Sequence, residues 1–133
     1  MTLTTQIPGL YLLDVENKGR GVFCIEDLSS DSIIELCPVI IINPKDTAAI
    51  HKTSLHDYYF IWDLEANSSA IALGFGSLYN HSESPNADFI INRADKEIKI
   101  VSLRDIPAGE EITINYISNK NAGFNLWFDP EKE

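Results

Sequence analysis

Apolar and polar residues alternate with a period of two along much of this chain, and β-branched residues cluster, while no stretch keeps a helical period beyond about three turns. Successive side chains of a strand point to opposite faces, so such a pattern commits the chain to sheets with one buried face. The chain reads as mostly β. Residues 11–15 and 22–25 are expected to form a hairpin, joined by the turn Glu16-Asn17-Lys18-Gly19-Arg20-Gly21. Residues 32–42 make a long strand rich in Ile and Val, which Asn43-Pro44-Lys45-Asp46 interrupts. Asp46 is placed to cap a short helix through Thr47-Ala48-Ala49-Ile50-His51, and residues 58–62 read as another strand.

Residues 70–75 form a further apolar run. The segment GSLYNHSESPN at 76–86 is too polar and turn-rich for a strand, yet large apolar residues flank it, which makes it a candidate site loop. Residues 89–92 and 97–101 are expected to pair around the polar turn Arg93-Ala94-Asp95-Lys96. Ile106-Pro107-Ala108-Gly109 then turns the chain into a strand over 111–116, where alternation puts Ile112, Ile114 and Tyr116 on one, core-directed face. The pattern is lost from Ile117 onward, and Phe124, Trp127 and Phe128 stand in an otherwise polar tail.

A length of 133 residues, 44% of them hydrophobic, suits one compact domain with a single core. The 10 Lys plus Arg against 20 Asp plus Glu give a formal net charge of -10, which repels a nucleic-acid phosphate backbone. A basic protein segment is the more natural macromolecular partner, although the same charge also serves solubility. The N-terminus lacks a basic region ahead of an apolar stretch, and no apolar run is long enough to span a bilayer. A cytoplasmic or nuclear location is therefore expected, not secretion, and the two Asn-x-Ser triplets at 67–69 and 80–82 carry little weight as glycosylation acceptors. Cys24 and Cys37 are too few for a disulfide framework or a cysteine-only zinc site, and read as reduced core residues. No metal site is expected.

Three segments bear on chemistry. Lys18-Gly19-Arg20-Gly21-Val22-Phe23 sets two glycines around one residue, which permits tight bending and close approach of a ligand, although a plain hairpin turn explains it as well. Asn80-His81-Ser82-Glu83-Ser84-Pro85-Asn86 groups amides, an imidazole and hydroxyls between apolar stretches, so its polar atoms need partners, either backbone groups or a ligand. Ala108 through Tyr116, AGEEITINY, is by itself an edge strand with an acidic start and a buried tyrosine.

In this order and spacing, GRGVF at 19–23, NHSESPN at 80–86 and GEEITINY at 109–116 together resemble the SET-domain family of protein lysine methyltransferases. The likeness runs over about residues 8–117, and AIALGFGSLYNHSESPN at 70–86 is similar above all to the compact viral and bacterial members. It implies a SET domain over 1–117, in a β-clip fold of small curved sheets with a C-terminal pseudoknot, in which GEEITINY threads beside NHSESPN. Residues 118–133 would be a tail that closes the substrate channel.

The resemblance further implies S-adenosylmethionine as methyl donor, S-adenosylhomocysteine as product, and the side-chain amine of a protein lysine, for example in a histone, as acceptor. Lys18, Gly19, Arg20 and Gly21 would lie against the cofactor, Asn80 would bind its methionine portion, and His81 would meet its adenine through backbone atoms. Tyr116 matches the catalytic tyrosine. Tyr58 matches a tyrosine lining the lysine channel, with packing against Phe60 and Trp62 as the competing role.

Ile114 holds the position tied to methyl number; lacking a hydroxyl to hold a water, it favours di- or trimethylation. The chain departs from the family pattern in having no cysteine after Cys37 to hold a channel-closing zinc, so Phe124, Trp127 or Phe128 is expected to close the channel. It also lacks the further tyrosine that compact relatives carry just after the catalytic one. A homodimer, as in compact viral relatives, is an expected partner state. The competing function is a catalytically inactive SET module that binds a protein partner.

Overall fold

The computed structural model describes residues 6–63 and 65–116. Strands β1 (Leu10–Val15) and β2 (Gly19–Cys24) form the first hairpin, with Leu10 opposite Cys24 and Val15 opposite Gly19. Gly19-Arg20-Gly21 thus open a strand instead of completing the expected turn. The reversal needs only Glu16-Asn17-Lys18: Lys18 N donates to Val15 O at 3.0 Å, and Asn17 and Gly19 take left-handed φ values of 66° and 79°. Arg20 then faces Asp14 across the ladder, a favourable cross-strand pairing of charges.

Strand β3 (Ile33–Ile42) leads into helix α1 (Pro44–Ile50). Its cap is Asn43 rather than the expected Asp46: Asn43 Oδ1 accepts from Asp46 N at 2.8 Å, and Asn43 Nδ2 donates to the Asp46 carboxylate at 3.1 Å. Pro44 explains the shift, since its fixed φ and missing N–H suit the first helical position and move the cap back to Asn43. Then follow β4 (Tyr59–Asp63), β5 (Ser68–Ala72), a 3-10 turn at Gly76–Leu78, the two-residue β6 (Asn80–His81), β7 (Ala87–Asn92), β8 (Glu97–Ser102) and β9 (Glu111–Ile114). The β7–β8 hairpin closes around residues 93–96 as expected, with Asn92 opposite Glu97.

These strands form a four-stranded sheet in the order β1-β2-β9-β6 and a five-stranded sheet in the order β4-β5-β3-β8-β7. Both sheets feed one core. Val22, Ile112 and Ile114 come from the first, and Ile34, Cys37, Ala70, Phe89, Ile98 and Ile100 from the second. Both cysteines are unpaired and buried, as expected. Among the described residues no helix is long and apolar enough to cross a membrane.

One pairing positions the site. Strand β6 runs parallel to β9, with Asn80 opposite Thr113 and His81 opposite Ile114. Ser82 N donates to Ile114 O at 2.9 Å, while the buried Asn86 side chain donates to Glu111 O and accepts from Thr113 N, both at 2.8 Å. Neighbouring residues of a strand turn their backbone groups to opposite edges, so the 82–86 loop grips β9 by both edges. NHSESPN and GEEITINY are thereby held together, as the resemblance implied.

Candidate active site

A cavity of about 770 Å³ opens where the β1–β2 hairpin, the approach to β4, the 3-10 turn and the β6 loop converge. Lys18 and Arg20 line it from the hairpin, Asp57 and Tyr58 from the approach to β4, Ser77 and Leu78 from the 3-10 turn, and Asn80, His81 and Ser82 from β6 and its loop. Tyr116, two residues past β9, completes the wall. Residues 18, 20, 58, 80, 81 and 116, singled out from the sequence, therefore meet at one place. Tyr58 stands just before β4, not within it as expected, and is 43% exposed at the cavity.

Gly19 and Gly21 are not among the residues that line the cavity. A side chain at Gly19 would meet nothing within 4 Å, so this glycine answers to its left-handed backbone. A Cβ at Gly21 would collide with the Glu111 carboxylate and come within 2.9 Å of Val15 Cγ2 and 3.1 Å of Asn80 Nδ2. Gly21 is thus the contact on which hairpin, β6 and β9 close together. Ile114 is fully buried in the core and is not among the side chains lining the cavity. Phe124, Trp127 and Phe128 lie outside the described residues.

Tyr116 is held through both its hydroxyl and its backbone. Its hydroxyl donates to Tyr79 O at 3.0 Å, its backbone N donates to His81 Nδ1 at 3.1 Å, and the two rings lie 4.9 Å apart. Burial, followed by the negative field of Asp57 and the nearby Tyr58, pushes the Tyr116 hydroxyl well above the ordinary phenol range, so it is a neutral donor. Accepting the Tyr116 N–H requires a lone pair on His81 Nδ1, which puts the ring proton of the neutral imidazole on Nε2. Burial lowers the His81 pKa and favours that neutral form.

Asn80 Nδ2 donates to Glu111 Oε2 at 2.7 Å and to Arg20 O at 3.3 Å. Both amide hydrogens are used and the backbone of Asn80 is paired with β9, which leaves the amide oxygen for a ligand. Glu111 is therefore a hub that sequence reading took for a mere strand start; the paired acidic residues after Gly109 were its only signal.

Asp57 was missed as well. Its Oδ1 is buried without a hydrogen-bond donor, although His56 Nε2 lies 3.0 Å away. His56 Nδ1 sits 3.0 Å from Thr53 O, so the ring lies between Thr53 and Asp57. With Glu16 and Glu83 also on the wall, the cavity has an acidic side that suits a cation.

The sequence model described as the SET domain matches residues 19–117. The chain belongs to the SET-domain family. It is 32% identical over 123 residues to a Schizosaccharomyces pombe protein named histone-lysine N-methyltransferase, H3 lysine-37 specific, covering 92% of this chain and 78% of that one. It is 30% identical over 128 residues to the variant-silencing SET domain-containing protein of Plasmodium falciparum, of which the match spans 5%. A crystal structure assigned as a Plasmodium falciparum histone methyltransferase superposes with a TM-score of 0.65 at 27% identity, over 90% of this chain and 97% of that one. This SET-domain protein is a protein-lysine N-methyltransferase, and its mostly β fold is the family's.

Proposed function

We propose that the cavity brings S-adenosylmethionine together with a lysine of a basic protein segment, such as a histone tail, and that Tyr116 aligns the reacting amine. The observation that carries this reading is the double anchoring of Tyr116 on a cavity shared with Asn80 and His81. The cavity volume falls in the range of about 300–1,000 Å³ usual for cofactor sites. Its donor set suits the group: cationic Lys18 and Arg20 for a carboxylate, the Asn80 amide oxygen for an ammonium, and half-buried Leu78 for an apolar portion. S-adenosylmethionine, when bound, supplies a methyl group on a positively charged sulfur.

Lysine must be neutral to accept that methyl, and its ordinary pKa of about 10.4 holds the proton at neutral pH. Entry from water into a half-buried cavity favours the neutral amine. Tyr116 contributes orientation rather than base strength, because its raised pKa leaves it a neutral phenol. Its hydroxyl hydrogen goes to Tyr79 O, which fixes the direction of the phenol oxygen on the cavity wall. Tyr58, exposed at the mouth, is placed to line the aliphatic part of the substrate side chain. Asp57, Glu16 and Glu83, on a chain of net charge -10, draw a basic segment toward the opening.

Incubation of the purified chain with S-adenosylmethionine and an array of lysine-containing histone peptides, followed by mass spectrometry, tests this reading. Mass gains in methyl steps on lysine-containing peptides are expected, and the step count reads how many methyls are added. Unchanged masses across the array, with cofactor binding intact, would overturn the catalytic reading in favour of a binding module.

A further inference from the structure

Glu35 is the single charged side chain buried among the described residues, 2% exposed, and it does not line the cavity. Removing a carboxylate from water costs several kcal/mol unless hydrogen bonds replace the lost solvation, so its donors reveal what it holds. Oε1 accepts from Tyr79 Oη at 2.7 Å. Oε2 accepts from Phe75 N at 2.9 Å and from Gln6 Nε2 at 3.0 Å. Phe75 and Tyr79 stand at the two ends of the bend containing the 3-10 turn, so one carboxylate clamps that bend at both ends.

The bend fits its support closely. Gly74 takes a left-handed φ of 67°, and a Cβ there would strike the Glu35 carboxylate. A Cβ at Gly76 would come within 2.6 Å of Ala72 Cβ and 2.8 Å of Cys37 Sγ. Ser77 and Leu78, between the clamped ends, face the cavity. The carbonyl of Tyr79 is the group that receives the Tyr116 hydroxyl.

We infer that Glu35, acting through Tyr79, is a positioning residue for Tyr116: it fixes the carbonyl that orients the Tyr116 hydroxyl toward the substrate amine. The inference rests on the reading of Tyr116 given under Proposed function. A charged acceptor holds the Tyr79 hydroxyl more strongly than a neutral one. Burial and the Glu35 carboxylate both push the Tyr79 pKa well up, which keeps that hydroxyl a donor. Displacement of an orienting group by about 1 Å costs on the order of a hundredfold in rate.

The test uses the full chain with tritiated S-adenosylmethionine and core histones, comparing Tyr79→Phe and Glu35→Gln with wild type. Tyr79→Phe removes only the oxygen that meets Glu35. It is expected to lower kcat by about tenfold or more while changing the KM for the cofactor by less than about threefold. Glu35→Gln, which keeps a neutral acceptor, should fall in between. Wild-type kcat in both variants, or a loss confined to KM, overturns the inference.

A second readout needs no turnover. In spectra of chain labelled at tyrosine 13Cζ, the Tyr116 signal, identified by its loss in Tyr116→Phe, should move in both variants; a fixed signal overturns the inference. A moved signal with no methyl transfer by wild type would refute the proposed function and leave the positioning intact.

Discussion

Replacing Asn86 by alanine removes the side chain that grips β9 from the edge opposite Ser82. Asn86 is 2% exposed, donates to Glu111 O and to Glu110 Oε2 at 2.8 Å each, and accepts from Thr113 N at 2.8 Å. The carboxylate of Glu110 is half-exposed and keeps Arg104 as a partner, so its loss counts for little. Glu111 O and Thr113 N are backbone groups on a buried strand, and each orphaned group costs about 1–3 kcal/mol.

The two together give about 2–6 kcal/mol, a large share of the about 5–15 kcal/mol that stabilises a typical domain. With a urea dependence of about 1.5 kcal/mol per molar, a loss of about 3 kcal/mol lowers the unfolding midpoint by about 2 M. Buried Trp62 supplies the fluorescence signal. Asn86→Asp sharpens the test, because it keeps the acceptor for Thr113 N but turns an oxygen toward Glu110 Oε2 and Glu111 O. Aspartate should cost at least as much as alanine above the carboxylate pKa and recover part of the loss in acid. A midpoint shift below about 0.3 M for Asn86→Ala would refute the two-edged grip.

Three further outcomes are expected. Gly21→Ala forces a methyl group onto Glu111, Val15 and Asn80, and should cost about 1–3 kcal/mol and weaken cofactor binding, measured by denaturation and calorimetry; a neutral variant would show that the three elements do not close on Gly21. His81 is neutral where Nδ1 accepts the Tyr116 N–H, and its folded pKa is lowered. Its contribution is therefore complete above the unfolded value of about 6.5 and is lost as pH falls through the lower folded value. A pH-rate profile should show an acid limb below about 6.5 that tracks the NMR titration of His81, and a His81 that titrates above that value contradicts the assigned proton position. Affinity for a basic peptide should fall as salt rises from about 0.05 to 0.5 M, since a chain of net charge -10 attracts it over a screened distance; salt-independent binding would remove the role given to the acidic wall.

How much of this was legible in sequence follows from which interactions are local. The β7–β8 hairpin was readable because a polar turn at 93–96 separates two alternating runs, and β3 because its apolar run is long and ends at Asn43-Pro44. The convergence of Lys18, Arg20, Tyr58, Asn80, His81 and Tyr116 was legible only from the joint order of three motifs, each of which alone fitted ordinary turns or strands. The boundary of β2 was missed because glycine marks turns in general, whereas here the reversal is finished before Arg20.

The helix cap fell on Asn43 because Pro44 sets the first turn, a local rule that outweighs the acidic residue further on. Glu35 and Asp57 gave no signal. A glutamate inside an Ile-rich strand and an aspartate after a histidine acquire meaning only from partners at Tyr79 and Phe75, or at the cavity wall. Ile114 alternates with the core pattern and is fully buried with it, as that alternation implied.

Tyr116 is proposed to align the reacting amine on a cavity that binds the methyl donor. Tyr116→Phe deletes one oxygen, the atom held by Tyr79 O, and leaves the His81 contact to the backbone in place. Its single-turnover rate of methyl transfer should fall by about a hundredfold or more, while the calorimetric affinity for S-adenosylmethionine stays within about threefold. Undiminished transfer by this variant, at unchanged cofactor affinity, would show that Tyr116 does not align the amine.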